Sequence, residues 1–292
     1  MINQTYLEVQ VWASSFLEEN NQEAEIAYHL LLDLADFSVS DWALKRKDIM
    51  PLNLKEAYQA AIEKVAKENY PWQYIVGKAW FYGETFKVSP ATLIPRQETE
   101  DLVSYVADLI KKEHIAQDAR VLDIGTGTGI IAITLKQRFP NLQVTATDIS
   151  PDALDIAREN AADKEAVIDF QLGDLFEPVL GQEFDLIISN PPYIGSDETD
   201  VMSKSTVLYE PDLALFAEEN GYQIYWRLFD QIHDYLAKPG YFIGEFGYQQ
   251  GQSLLTGAKD RLRMTDAEVN IIQDYAGNDR ILVIQNPYNT TI

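Results

Sequence analysis

The sequence contains no cysteine and only three histidines among its 292 residues. Without cysteine, the chain cannot form disulfide bonds, use a cysteine nucleophile or bind zinc through thiolates. The three histidines, His29, His114 and His233, are far apart in the chain and away from any other motif, and no spacing of carboxylates indicates a cluster, so no metal site is predicted. The lack of cysteine also suits a reducing compartment.

Long apolar runs and basic segments are missing as well. No uninterrupted apolar stretch reaches membrane-spanning length, and the opening MINQTYLEVQ lacks the basic and then apolar pattern of a signal peptide. We therefore expect a cytoplasmic protein with no membrane partner. Only 23 lysines and arginines stand against 46 acidic residues, giving a net charge of -23. A chain this acidic repels phosphate backbones, so we expect no direct nucleic-acid substrate.

The first quarter of the chain predicts a small helical domain over residues 1–75. Apolar residues recur at helical spacing within residues 23–37 and again within residues 54–69. The polar pair Ser40 and Asp41, directly before a tryptophan, predicts the start of another helix between these two. We expect this domain to recognise a substrate.

The rest of the chain predicts an α/β domain. Residues 76–98 alternate aromatic and polar side chains around Gly83, which predicts a β-hairpin linker. Residues 99–292 alternate candidate strands with candidate helices, a pattern typical of a doubly wound, mostly parallel sheet. The strand candidates are RVLDIG, LQVTATD, IDFQLGD, FDLIIS and YFIGEFG. The helix candidates are IIAITLKQRF, SPDALDIAREN and the segment 222–237, and the tail predicts an antiparallel strand pair at the sheet edge.

A glycine-rich loop, VLDIGTGTG, follows the first of these strands and precedes a helix. Glycine lets the backbone turn tightly and approach a ligand closely. The third glycine comes one residue too early for the dinucleotide fingerprint, and the lysine of a Walker loop is absent. Asp148 ends the next strand 19 residues after Gly129, where a carboxylate can bind both ribose hydroxyls.

This combination resembles the S-adenosylmethionine site of Rossmann-like methyltransferases, the alternative being a loop that binds no ligand. Asp174 ends the third strand, where it either reaches the adenine edge or caps a loop. Leu175 or Phe176 is predicted to flank the adenine ring, unless Phe176 packs in the core. The candidate cofactor-binding residues are Asp123, Gly125, Thr126, Gly127, Thr128, Gly129, Asp148, Asp174, Leu175 and Asn190.

The fourth strand ends at Asn190-Pro191-Pro192-Tyr193. Ligands in open α/β sheets bind at the carboxyl ends of strands, so this tetrapeptide is predicted to lie beside the methyl donor. Two prolines contribute no N–H group, so the loop presents carbonyl oxygens and almost no donors. These oxygens can accept both hydrogens of an –NH₂ group, and the Tyr193 ring offers a face for stacking. We predict that Asn190, Pro191 and Tyr193 are catalytic and that Pro192 also contacts substrate.

The acceptor that suits this loop is a planar, conjugated –NH₂ group. Its nitrogen is a weak nucleophile because its lone pair is delocalised. Two acceptors aimed at its hydrogens favour the geometry in which the lone pair points at the methyl group. The motif alone does not choose between the exocyclic amine of adenine and the side-chain amide of glutamine.

Five segments together resemble one family, the peptide chain release factor N5-glutamine methyltransferases (PrmC/HemK). They are FYGETFKVSPATLIPRQETEDLV, LDIGTGTG, SNPPYI, YEPDLALFAEENG and DYAGNDR. The resemblance is close over residues 74–285 and looser in the helical domain, and Gln97 stands where the family usually has proline. It implies a Rossmann-like domain that transfers a methyl group from S-adenosylmethionine to the Gly-Gly-Gln glutamine of class 1 release factors, which would be the protein partners.

The block LIPRQETE connects the hairpin to the α/β domain. Pro95 forces an extended entry, and Thr99 or Glu98 is predicted to cap the helix that follows. Arg96 is predicted to pair with Glu98 or Glu100, or else to bind substrate.

Two other functions stay open. An adenine methyltransferase acting on DNA or RNA would need a basic groove beside Tyr193. A non-catalytic S-adenosylmethionine-binding adaptor of the translation machinery would bind the cofactor without turnover. The polar residues 194–206 are a candidate mobile flap, and we expect a monomer.

Overall fold

A computed structural model describes residues 3–287 of this α/β protein. The described chain forms two compact units. The first contains the residues up to Lys78 together with Ser203–Tyr209. The second contains Ala79–Met202 and the chain from Glu210 onward.

Helices dominate the first unit, whereas strands and helices alternate in the second. The helices are α1 (Tyr6–Glu19), α2 (Glu25–Ala35), α3 (Val39–Lys45), α4 (Leu52–Glu68), α5 (Trp72–Val76), α6 (Gln97–Lys111), α7 (Ile130–Arg138), α8 (Pro151–Asp163), α9 (Lys204–Tyr209), α10 (Asp212–Leu215), α11 (Gln223–Gln231) and α12 (Gly251–Arg261). The strands are β1 (Lys78–Phe81), β2 (Glu84–Lys87), β3 (Arg120–Ile124), β4 (Gln143–Asp148), β5 (Asp169–Leu172), β6 (Phe184–Ser189), β7 (Leu236–Glu245), β8 (Glu268–Gln273) and β9 (Asp279–Asn286).

The first unit packs α1, α2 and α4 around one apolar core. Leu30 and Ile62 are fully buried on the faces that helical spacing predicts. Helix α3 starts about half a helical turn before the predicted start at Ser40 and Asp41, so this prediction was wrong in position. The Ser38 hydroxyl accepts from the backbone N–H of Asp41 at 3.0 Å, and the Asp41 carboxylate accepts from the N–H of Ser38 at 3.1 Å. This reciprocal cap starts α3 at Val39.

Part of the candidate flap belongs to the first unit. The ring of Tyr209 packs edge-on against Tyr70 with 4.8 Å between centroids. Its hydroxyl donates to the carbonyl of Glu68 at 2.9 Å. Helix α9 is therefore anchored at its carboxyl end, and the mobility of residues 194–206 stays a prediction.

The second unit contains a seven-stranded sheet in the order β5-β4-β3-β6-β7-β9-β8. The strands from β5 to β7 are parallel, whereas β9 and β8 form the antiparallel pair at one edge. This confirms the doubly wound sheet and the edge pair predicted from the tail. The strand order reverses direction between β3 and β6, so a crevice opens where their carboxyl ends meet.

Strand residues alternate between two apolar cores. Val121 and Leu186 face the core that α6 and α7 cover, whereas Leu122 and Ile187 face the core that α11 and α12 cover. Both faces of the central strands are buried, which is why their sequences are continuous apolar runs. The predicted hairpin of β1 and β2 is present, and Tyr82 and Gly83 in its turn have positive φ values of 53° and 80°.

The helix predicted over residues 222–237 extended too far. Helix α11 ends at Gln231, a single 3-10 turn covers Ile232–Asp234, and β7 begins at Leu236. The strand starts there because the N–H of Phe184 donates to the carbonyl of Tyr235 at 2.8 Å and so pairs β6 with the incoming chain. Apolar spacing continued through the segment, but pairing with the neighbouring strand decides its conformation.

Candidate active site

Three neighbouring strand ends bring the predicted motifs together. In the sheet register, Ile124 lies opposite Thr147 on one side and Ser189 on the other. The glycine loop, Asp148 and Asn190 therefore lie together at the carboxyl ends of these three parallel strands. They border a cleft of about 300 Å³. Eight predicted residues line it, namely Gly125, Gly127, Asp148, Asp174, Leu175, Asn190, Pro191 and Pro192.

The carboxylate of Asp148 is held in place by the glycine loop. One oxygen accepts from the N–H of Gly127 at 2.8 Å, and the other accepts from the N–H of Ser150 at 2.9 Å. Burial raises the pKa of Asp148, and these backbone donors oppose that rise. The backbone of Ile149 also lowers the pKa of this carboxylate, and because a carboxylate has about four acceptor sites the group can still accept from a ribose. The cleft therefore fits a nucleoside whose ribose lies at Asp148.

Asp123, Thr126 and Thr128 do not line the cleft. All three are buried, and the Thr126 hydroxyl donates to one Asp123 oxygen at 2.6 Å. The other Asp123 oxygen has no hydrogen-bond partner among the described residues. Burial raises the pKa of Asp123 to about 7, and the negative charge of Asp148 adds to the rise. From this position Asp123 shapes the loop.

Gly129 ends the loop in a conformation that other residues adopt poorly. Its φ is 80°, and a β-carbon added there would lie 2.9 Å from Cδ1 of Ile133 and 3.2 Å from Cβ of Ala157. Gly277 in the β8–β9 turn has a φ of 83°, but an added β-carbon would meet nothing within 4 Å. The two glycines share the backbone constraint and differ in the surrounding space.

This pair gives a stability prediction. Gly277→Ala should lower the free energy of unfolding by about 1 kcal/mol, the cost of placing an L-residue in the left-handed region. Gly129→Ala should lower it by about 3 kcal/mol, because overpacking adds to the same backbone cost. Urea denaturation of the two variants measures the difference. Equal losses would show that the Ile133 side chain and Ala157 adjust to the added methyl group without strain.

Asp174 lies at the far end of the cleft with a partner that the sequence did not reveal. Its carboxylate accepts from the guanidinium of Arg227 at 2.6 Å, and both residues line the cleft. Leu175 also lines the cleft. Phe176 is fully buried and stacks on Tyr235 with 4.3 Å between ring centroids. Phe176 is therefore a core residue, which was one of the two alternatives that the sequence left open.

The Asn-Pro-Pro-Tyr loop is bonded at both ends. The Asn190 side-chain nitrogen donates to the hydroxyl of Thr99 at 3.0 Å. The side-chain nitrogen of Gln250 donates to the carbonyl of Tyr193 at 2.7 Å, and the Tyr193 hydroxyl donates to Glu245 at 3.3 Å. Within residues 3–287, no donor bonds to the Asn190 side-chain oxygen. Asn190 and the two prolines line the cleft, and none of the three residues except Asn190 carries a side-chain or backbone N–H group.

The block LIPRQETE forms contacts that the sequence did not predict. Helix α6 starts at Gln97 with Arg96 at its cap position, so neither Thr99 nor Glu98 caps it. Arg96 pairs with the buried Glu210 instead of Glu98 or Glu100. These predictions were wrong because the partners lie far away in sequence. A contact between Arg96 and substrate stays a prediction.

Glu245 is a functional candidate that the sequence reasoning missed. It ends β7, is 1% exposed and accepts from the Thr99 hydroxyl at 2.7 Å. Burial raises its pKa to about 7, and its bonds with Thr99 and Tyr193 and the charge of Arg280 oppose that rise. The available signal was an acid inside the apolar strand YFIGEFG, because buried carboxylates have polar partners.

Two further features of the described chain bear on function. No group of three or more His, Asp or Glu side chains between residues 3 and 287 is arranged to hold a metal ion. None of the helices described above combines the length and apolarity needed to cross a bilayer.

Two family models match the chain. The methyltransferase small domain matches residues 104–218, and the PrmC N-terminal domain matches residues 8–77. A solved structure of a methyltransferase from Pyrococcus furiosus is 21% identical, with a TM-score of 0.51 over 78% of this chain and 96% of that chain. That likeness supports the methyltransferase fold.

Curated relatives match nearly the whole chain. The release factor glutamine methyltransferase of Enterococcus faecalis is 38% identical over 96% of this chain and 99% of its own length. The release factor glutamine methyltransferase of Lactococcus lactis is 40% identical over 91% of this chain and 95% of its own length. With these relatives and both family models, the chain belongs to the release factor glutamine methyltransferase family.

Proposed function

We propose that this protein transfers a methyl group from S-adenosylmethionine to the side-chain amide nitrogen of the Gly-Gly-Gln glutamine in class 1 peptide chain release factors. The observation that carries the proposal is Asn190, which lines the cleft and whose side-chain oxygen receives no donor from the described chain. A primary amide has two N–H groups that need such acceptors. Membership of the family supports glutamine as the residue that supplies them.

The cofactor would be held by residues from three strand ends. The backbone at Gly125 and Gly127 leaves room for close approach, since a β-carbon at either position would meet nothing within 4 Å. Asp148 would accept from the ribose hydroxyls, and Asp174 with Leu175 would border the adenine. When bound, S-adenosylmethionine would supply an electrophilic methyl group on a cationic sulfur, and the amide nitrogen that takes up this methyl would lose one proton to water.

The protein's own contribution is orientation. The Asn190 oxygen and a proline carbonyl accept the two amide hydrogens, so the nitrogen lone pair turns towards the methyl group. These acceptors strengthen as the nitrogen becomes positive, so they stabilise the transition state more than the bound substrate. Prolines at 191 and 192 keep competing N–H donors out of this border. No strong base is required, and positioning provides most of the acceleration.

We further propose that the helical domain, predicted over residues 1–75, contributes to recognition of the release factor. The match of residues 8–77 to the PrmC N-terminal domain supports this assignment. The net charge of -23 argues against the nucleic-acid alternative, because a polyanion would be repelled.

A labelling experiment tests the proposed function. The protein is incubated with S-adenosylmethionine labelled in its methyl group and with a class 1 release factor, DNA or RNA in parallel reactions. We expect label in the release factor and none in a release factor whose Gly-Gly-Gln glutamine is replaced by alanine. Label in DNA or RNA would favour the adenine alternative, and cofactor binding without any label would favour the adaptor.

A further inference from the structure

A chain of hydrogen bonds runs from the substrate border of the cleft to a buried carboxylate. The Asn190 side-chain nitrogen donates to the Thr99 hydroxyl at 3.0 Å, and that hydroxyl donates to Glu245 at 2.7 Å. The other oxygen of Glu245 accepts from the Tyr193 hydroxyl at 3.3 Å. Thr99 and Glu245 are each 1% exposed, so water does not readily replace these partners.

The chemistry of each group fixes the direction of this chain. An ionised carboxylate only accepts, so Thr99 must give its single hydroxyl proton to Glu245. Towards Asn190, the Thr99 oxygen can then only accept. The Asn190 amide must therefore turn its –NH₂ group towards Thr99, which leaves its oxygen for another donor. Asparagine is otherwise free to rotate by half a turn and to exchange its oxygen and nitrogen.

We propose that Thr99 and Glu245 are positioning residues that dictate which end of the Asn190 amide meets the substrate nitrogen, an inference that rests on the function proposed above. The order of the hydrogen bonds makes Asn190 an acceptor at the cleft border. If the Asn190 amide were rotated by half a turn, it would present its –NH₂ group to the –NH₂ group of glutamine. Two donors would then face each other, and the bond that orients the glutamine would be lost.

The proton on Glu245 controls this direction. When Glu245 takes up a proton from solvent, it can donate to Thr99, and the Thr99 hydroxyl can then donate to the oxygen of a rotated Asn190. The groups that face Glu245 are Tyr193, Arg280, Glu98 and, through its contact with the Glu245 backbone carbonyl, Tyr225. Arg280 favours the ionised carboxylate and Glu98 opposes it.

This arrangement sets the sign of a pH effect. The active form carries ionised Glu245, so kcat should fall as the pH drops through the pKa of Glu245, which is about 7. The loss is a change in the orientation of Asn190, so the fall in kcat should persist at saturating cofactor, where any effect of Asp123, whose pKa is also about 7, on cofactor affinity no longer limits the rate.

The kinetic test compares Thr99→Val with Thr99→Ser in the full-length protein. Valine keeps the shape of the threonine side chain but removes the hydroxyl that links Asn190 to Glu245, a link we call the relay. We therefore expect kcat for a release factor to fall about 100-fold, with a smaller change in KM. Serine keeps the hydroxyl and should restore most of the lost rate. The valine variant should also lose the fall in kcat below neutral pH, whereas damage to packing alone would lower the rate and keep the profile. Equal rates in the two variants would overturn the proposal.

A second measurement needs neither substrate nor a core variant. The side-chain ¹⁵N–¹H signals of Asn190 in the wild-type protein, assigned by their absence in Asn190→Ala, should shift across neutral pH. Signals that do not respond overturn the relay even if Thr99→Val fails to fold. A wild-type protein that labels no release factor refutes the proposed function instead, and the titration still decides the role of Glu245.

Discussion

Replacing Asn190 by alanine should lower the rate of methyl transfer to a release factor by about 1,000-fold, the effect of losing one preorganised group that stabilises a transition state. Alanine removes both the acceptor for the glutamine –NH₂ group and the donor to Thr99. The glycine loop and Asp148 are unchanged, so binding of S-adenosylmethionine should stay close to wild type. Transfer of label measures the rate, and isothermal titration calorimetry measures cofactor affinity.

An asparagine elsewhere in the second unit provides the matched control. Asn141 is exposed and precedes β4. It therefore lies at the amino ends of the parallel strands, whereas the cleft lies at their carboxyl ends. Asn141→Ala should label the release factor at the wild-type rate. If Asn190→Ala loses cofactor affinity as severely as rate, the amide is part of the cofactor site and its assigned role is wrong.

The Asp148→Ala variant should bind S-adenosylmethionine at least about 100-fold more weakly, because it loses two hydrogen bonds to a charged group and each is worth about 1.5–3 kcal/mol. The carboxylate is the predicted partner of both ribose hydroxyls. It also accepts from the N–H groups of Gly127 and Ser150, so its removal loosens the glycine loop. At saturating cofactor the rate should recover further than the affinity does, because Asn190 is intact.

Asp152 separates this effect from a general change of charge near a cationic ligand. It is an exposed acid in the first turn of α8, four positions after Asp148. Asp152→Ala removes the same charge, yet it should leave the cofactor affinity within about twofold, because exposed charges are screened by salt. A similar loss in both variants would indicate that long-range attraction, and not the ribose contact, drives binding.

The part of the site that follows directly from strand ends was predictable from the sequence. Gly125 and Gly127 follow β3, Asp148 ends β4 and Asn190 follows β6. Parallel strands that are connected through helices have their carboxyl ends on the same side of the sheet. Recognising each motif at the end of its own strand was therefore enough to predict that the motifs lie together.

The support of the site was not predictable in the same way. Thr99 has its partners Asn190 and Glu245 at separations of 91 and 146 residues, and Arg227 meets Asp174 across 53 residues. A threonine, a glutamate and an arginine at these positions carry no local signature. Near a helix start, Thr99 and Glu98 match the pattern of a cap, and only tertiary packing shows that Thr99 bonds elsewhere.

Two predicted helix boundaries, the end of α11 and the start of α3, were wrong for a related reason. Residues 232–237 continue the apolar spacing of α11, but a hydrogen bond from β6 converts the segment to a turn and a strand. Ser38 lies two residues before the predicted start of α3, and its reciprocal hydrogen bonds with Asp41 determine where the helix begins. In both cases the type of element was correct, and a single partner shifted its limit.

The burial of Asp123 couples the uptake of one proton to folding. The native carboxyl titrates with a pKa of about 7, whereas its ordinary value is 3.8. Between these two values the folded chain retains a proton that the unfolded chain releases to the buffer. The stabilising contribution of this proton is complete in acid and disappears as the pH rises through 7, so alkaline conditions bring a buried negative charge, which the Thr126 hydroxyl only partly compensates, under the cofactor loop.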